Sequence, residues 1–365
     1  MQAPANLKPL TSLRFYAAMW VVLFHYWPHL AVVGTPPLVA KGYLGVECFF
    51  VLSGFILCHV YVPAFEAGRF KYGDFLWARI ARIYPLHLAT LVGVGLMAAA
   101  ALSVGVQVDP NILSWTSLPA NLALMQAWGL APTAGWNHPS WSISAEWFAY
   151  LSFPAFALAV VALRKRPLIA LVATLVLMAG LYAGFERITG ESLTRATIAW
   201  GALRIVPCFA LGCALFLTCR KGVTDRRKAL AGAAFFGAAA LVSAQFGASD
   251  VITISAFGGL IITLSQVSNA GSRLGSDAIS VYLGEISYSI YMVCIPWELL
   301  FVNVAANILH LPHKQLPLSL WLIFVGSLIP LAAIMHHLIE RPARDSIKLW
   351  RISRVSHKLA TVSAQ

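Results

Sequence analysis

The sequence predicts an all-α, polytopic membrane protein of about ten transmembrane helices, with the N-terminus and C-terminus both cytoplasmic. Three observations predict it. Hydrophobic residues make up 59% of the 365 and charged residues only 11%, with a mean hydropathy of +0.75, where a soluble domain carries about 25% charge. The chain also divides into apolar stretches of the roughly 20 residues a span requires, near 10–30, 42–62, 83–104, 140–163, 167–185, 198–218, 229–246, 251–268, 279–303 and 316–339. With the N-terminus inside, the inner segments hold 21 of the 26 Lys and Arg. Four fall outside (Lys41, Arg187, Arg195, Lys314) and Arg204 lies within a span, as the bias of basic residues toward the cytoplasm requires.

The net charge of +12 does not indicate nucleic acid, because the basic residues sit between apolar runs instead of covering a solvated face. Six cysteines (Cys48, Cys58, Cys208, Cys213, Cys219, Cys294) lie within or at the ends of apolar runs, so neither a disulfide framework nor a metal site is read from them. A cleaved signal peptide is not expected, since the run from Phe15 leads into His25 without a small-residue cleavage site.

The first span carries Arg14 and His25, eleven residues apart and so about 16 Å along a helix. Ionisable groups inside spans are costly and point to function, and an imidazole exchanges a proton near neutral pH. The second span opens as Gly42-Tyr-Leu-Gly-Val-Glu47. Its glycines permit close packing, and Glu47 comes to the depth of His25, where a carboxylate orients an imidazole. The other reading is a small-residue packing helix whose glutamate pairs with a different cation. Arg79 and Arg82 open the third span on one helix face, matched to phosphate oxygens or serving as a basic anchor at the inner interface. Trp141-Ser-Ile-Ser-Ala-Glu146 opens the fourth. An aromatic belt explains tryptophans there but not a carboxylate inside the span. By counting residues from the span ends, Glu47, Glu146 and Arg204 join His25 toward the outer side. Arg14, His59, Arg79, Arg82 and His87 belong to the inner half. His138, His310, His313, His336 and His337 read as interfacial residues, and Glu285 and Glu298 as span-end groups.

Together these segments resemble the acyltransferase-3 family of integral-membrane O-acyltransferases over nearly the whole chain. The resemblance rests on Arg14-x10-His25, the Gly42–Phe55 run, Arg79-x-x-Arg82, Pro139-Ser-Trp-Ser-Ile-Ser-Ala-Glu146, Arg204 to Gly212, Leu283 to Met292, and Glu340-Arg-Pro. Two positions depart from the pattern: Glu47 stands where the family usually has aspartate, and Cys294 where it often has histidine.

The resemblance implies transfer of an acyl group, most often acetyl, from cytosolic acetyl-CoA to a hydroxyl of a cell-surface or exported carbohydrate. The protein would lie in the bacterial inner membrane, as a domain over 1–340 with a basic cytoplasmic tail over 341–365. His25 is then the candidate general base, with Glu47 and Glu146 as partners. Arg14, Arg79 and Arg82 would hold the CoA phosphates, and Trp141, Ser142, Ser144 and Arg204 would meet the acceptor. No metal is expected. The implied partners are a lipid-linked or polymeric carbohydrate, membrane lipid and polysaccharide-synthesis machinery. A transporter of a polysaccharide precursor would also use buried charges, although no repeat between the chain's halves is evident. A non-catalytic scaffold in polysaccharide synthesis is a third reading.

Overall fold

A computed structural model describes residues 7–219, 225–269 and 273–349. Part of the inner basic loop (220–224) and most of the expected basic tail (350–365) lie outside the described residues. Within them the chain is helical: α1 (Lys8–Tyr26), α2 (Pro37–Ala40), α3 (Gly45–Glu66), α4 (Tyr72–Ser103), α5 (Leu118–Leu122), α6 (Ser140–Leu151), α7 (Phe153–Leu163), α8 (Pro167–Thr189), α9 (Gly201–Cys219), α10 (Arg226–Gln245), α11 (Asp250–Asn269), α12 (Ala278–Glu285), α13 (Ser287–Leu309) and α14 (Leu318–Met335). Among the described residues, eight helices are long and apolar enough to cross a membrane, and α6–α7 makes a ninth span bent by 57°. Ser152-Phe-Pro154 sits at that bend, where proline cannot continue the backbone hydrogen bonding. The remaining sequence-read span is α1, made less apolar by Lys8, Arg14 and His25. It lies against α3, α12 and α13. The chain is thus a polytopic helical membrane protein.

The loops sort to two ends as an alternating path requires. At one end Lys41 and Thr194 both bond Asp250, and Leu30 pairs with Leu316. At the other, Ser12 Oγ donates to the Gly275 carbonyl at 2.7 Å. The first end gathers the segments expected outside and the second those expected inside.

Two boundaries differ from the sequence reading. Helix α4 starts at Tyr72 and not near 83, so Arg79 and Arg82 stand two turns inside a helix. The connection from 104 to 139 also does more than link two spans. It folds back through α5 and the wide turn Gln126–Leu130, burying Asn121, Gln126 and Asn137. His87, expected in the inner half, hydrogen-bonds the Asn121 carbonyl of this segment at 2.8 Å.

The centre of the bundle is the α3–α9 pair. Without water to drive helices together in lipid, close backbone approach through small residues does so. A Cβ added at Gly54 would run into the Phe209 carbonyl oxygen, and one added at Gly212 into that of Val51. Phe50, Val51, Phe55, Phe209 and Leu211 fill the surrounding core. A second apolar cluster joins α1, α13 and α14 through Val22, Tyr26, Ile290 and Phe324. Replacing Gly54 with valine should therefore force these helices apart, costing about 1–3 kcal/mol or more. A lowered melting temperature of the detergent-solubilised protein is the expected result, whereas Gly180→Val, at a glycine with open space around it, should leave it unchanged.

Candidate active site

A cavity of about 360 Å³ lies between α1, α3, α4, α6 and α13, with Arg14, Arg79, Arg82, Glu146, Ser142 and Tyr291 among its lining residues. Arginines three apart share a helix face, which is how α4 turns Arg79 and Arg82 together toward Arg14 of α1. The Arg79 guanidinium lies 5.6 Å from the Tyr61 ring centre and 5.9 Å from that of Tyr150, and its Nη2 donates to the Tyr61 hydroxyl at 3.2 Å. Its Nε is buried with no hydrogen-bond partner. Such a donor is costly unless a ligand meets it.

Glu146 is the carboxylate lining this cavity, and Ser53 Oγ donates to its Oε1 at 2.8 Å. Counting residues from the outer end of the fourth span gives it the depth of His25, but the structure places it with the arginines. The count takes the span to start at the outer surface, whereas α6 begins inside the bundle, with Asn137, Ser140 and Trp141 already buried. A second carboxylate, Glu340 just beyond α14, acts on Arg14 and Arg82. It accepts from Ser289 Oγ at 2.8 Å and lies 2.9 Å from His336 Nδ1. His336, read as interfacial, is buried here.

Glu47 does not pair with His25. Both its oxygens are taken by Arg204, Oε1 by Nε at 2.5 Å and Oε2 by Nη2 at 3.0 Å. The side chains are 0% and 2% exposed, so the alternative of a packing helix with another cation is the one observed. Removing charge from lipid and water requires a well-formed partner, and a bidentate fork supplies it. Arg204 also donates to the Ala196 carbonyl at 2.8 Å and lies 4.5 Å from the Trp141 ring centre. Arg204 and Trp141 are therefore buried in the α3–α6–α9 seam and do not line the arginine cavity. Ser144 also serves the fold: its Oγ accepts from Ala127 N at 3.0 Å and its carbonyl from Trp128 Nε1 at 3.0 Å. Of the four residues expected at the acceptor, Ser142 lines the cavity, and its Oγ donates to the Tyr291 hydroxyl at 2.8 Å.

His25 lies beyond the cavity, half-buried, with its ring facing that of His138 at a centroid distance of 6.2 Å. His138 precedes α6 in a loop outside the spans. Burial, and after it the Arg204 guanidinium, holds the His138 imidazole below its ordinary range. Cys294 is fully buried and contacts the Tyr291 carbonyl at 3.1 Å. Sequence reading missed Tyr61, Tyr150, Tyr291 and His138. For Tyr150 a signal was present, since it falls one turn after Glu146.

Residues 9–337 match the family model described as an acyltransferase domain. The chain belongs to the acyltransferase-3 family. It is also similar to the acyltransferase MdmB of Streptomyces mycarofaciens, 31% identical over 319 residues that cover 79% of this chain and 78% of that protein. Protein 2 in the picA locus of Rhizobium radiobacter is 40% identical over 96 residues, covering 26% of this chain and 46% of that one. No solved structure matches. As a family member with a polytopic helical fold, the chain is a membrane acyltransferase.

The Glu47–Arg204 pair yields a test of its own. Glu47→Gln should cost about 3–5 kcal/mol, because it strands a buried guanidinium, and should be read as a lowered melting temperature in detergent. Adding Arg204→Met to Glu47→Leu should recover most of the loss. A double variant no more stable than Glu47→Gln would show that the pair does not act as one unit.

Proposed function

We propose that this acyltransferase moves an acyl group, acetyl first among them, from cytosolic acyl-CoA to a hydroxyl of a cell-surface or exported carbohydrate, across the bacterial inner membrane. The observation that carries this reading is the set of three guanidiniums at one cavity, with the Arg79 Nε buried and unpaired. Against them stand the carboxylates of Glu146 and, behind the wall, Glu340, so the cavity keeps positive charge to offer an anion. Phosphate oxygens match such forks. At about 360 Å³ the space is near the lower end for ligand pockets, roughly 300–1,000 Å³. It suits the slim pantetheine arm, with the phosphates held by Arg14, Arg79 and Arg82.

The chemistry follows from the donor. The acceptor hydroxyl oxygen attacks the thioester carbonyl carbon, and a C–O bond forms as His25 takes the hydroxyl proton. The tetrahedral intermediate then expels the CoA sulfur as the C–S bond breaks, and the imidazolium returns the proton to the thiolate. General-base assistance of this kind contributes about 10²–10⁴-fold. In this reading Glu146 spaces the arginines, Ser142 and Tyr291 bound the path of the arm, and Glu47 acts on the fold through Arg204. The acceptor, lipid-linked or polymeric, arrives from the opposite side and ties the enzyme to polysaccharide-synthesis machinery.

Two variants test donor and chemistry separately. Arg79→Ala with Arg82→Ala should weaken acetyl-CoA binding to the purified protein by about 10-fold or more, given 1.5–3 kcal/mol for a hydrogen bond to a charged group. Unchanged affinity by calorimetry returns these residues to a basic anchor. His25→Gln should bind acetyl-CoA normally yet acylate surface polysaccharide in cells about 10²–10⁴-fold more slowly. Near-normal acylation at equal expression excludes His25 as the base.

A further inference from the structure

His25 and His138 present two half-buried imidazoles to one another, tilted by 75° with centroids 6.2 Å apart. Among the described residues neither ring has a hydrogen-bond partner in the protein. The loop bearing His138 is nevertheless firmly held. Asn137 Nδ2 donates to Thr90 Oγ1 at 3.0 Å and to the Met292 carbonyl at 2.9 Å, and the His138 carbonyl accepts from Trp141 N at 3.1 Å. Pro139 follows directly. An imidazole carried on a loop held in this way, yet without a partner of its own, is placed for a ligand. Ser142, which lines the arginine cavity, lies four residues on, in the first turn of α6.

We propose that His138 binds the acceptor: the reacting hydroxyl oxygen sits between the two rings, giving its proton to His25 and accepting an N–H from His138. This rests on the acyl-transfer reading above, with His25 as base. The spacing supports it. At 6.2 Å between centroids the rings are too far apart to hydrogen-bond each other directly, but one oxygen at about 2.7–3.2 Å from a nitrogen of each fits between them. A neutral imidazole supplies one donor and one acceptor. His138 in its neutral form also avoids placing a second cation beside His25 as that ring takes the proton. The loop belongs to the end of the molecule away from the arginines, so the acceptor reaches the pair without crossing the donor cavity.

The test uses full-length purified protein, radiolabelled acetyl-CoA as donor and base-deacylated surface polysaccharide from the producing cells as acceptor, with rates taken per mole of folded, monodisperse protein. His138→Leu should raise the acceptor KM and lower acceptor kcat/KM on the order of 10-fold, the effect of one lost hydrogen bond. Acetyl-CoA affinity and the slow release of CoA thiol without acceptor should stay at wild-type values. His138→Asn keeps an N–H donor and should recover much of the loss, which a purely structural role would not predict. Wild-type acceptor kinetics in His138→Leu, or equal loss of donor and acceptor affinity in both variants, overturns the assignment and leaves the transfer reading standing. Absence of acetyl-CoA-dependent labelling by the wild-type protein instead rejects the transfer reading, and this assignment with it.

Discussion

A guanidinium and a carboxylate withdrawn from both water and lipid have to satisfy one another, and Glu47 and Arg204 do so across the α3–α9 seam. The geometry of the seam leaves little freedom. Gly54 and Gly212 bring the two backbones into contact, which fixes the distance between helices, while the bidentate pair fixes their register. Trp141 lies under the same guanidinium, so α6 is set against this seam too. The positions of Ser142 and Glu146, and the loop that presents His138, follow from where α6 begins. A substitution at Glu47 therefore reaches the site through the scaffold, and loss of activity there would not by itself indicate a catalytic carboxylate.

The second constraint is repulsion. Arg14, Arg79 and Arg82 crowd one end of the bundle, and Arg14 and Arg82 act on one another directly. Tyr61 and Tyr150 offer ring faces to Arg79, and Glu146 and Glu340 supply negative charge from two sides. This compensation holds the site together without filling every donor. The Arg79 Nε stays buried without a partner, a cost that a bound anion would remove.

Most of the architecture was legible because lipid imposes a length and a composition on each span. The ten apolar stretches correspond to helices, with the fourth and ninth each broken into two. The family was legible from the order of short motifs, each weak alone. Site geometry was less so, for two physical reasons. Depth was counted from the outer start of each span, whereas α6 begins among buried residues, and Glu146 stands with the arginines instead of with His25. Partner choice was also ambiguous: Glu47 had two cationic or imidazole candidates at its depth, and only packing of α3 on α9 decides for Arg204. His138 looked like an ordinary interfacial histidine because the role proposed for it depends on a neighbour 113 positions away in the chain and on a connection that folds back into the bundle.

In the proposed transfer, two reactants approaching from opposite aqueous sides would place a particular demand on the middle of the molecule. An open passage would let water reach the thioester and hydrolyse it, whereas a sealed wall would keep the acceptor hydroxyl from the carbonyl carbon. A few polar and aromatic contacts lie where such a junction would be. Ser142 bonds Tyr291 at the wall of the arginine cavity, the Phe49 ring abuts Tyr291 at a centroid distance of 6.2 Å, and His138 of the His25–His138 pair precedes Ser142 by four residues. A single neutral hydrogen bond of this kind contributes only about 0.5–1.5 kcal/mol net. On the proposed reading, that is weak enough for an arriving acyl-pantetheine arm to replace. In that reading, the residues that end the cavity are thus the ones through which donor and acceptor would meet, and His25 would act from outside the donor cavity and not from its wall.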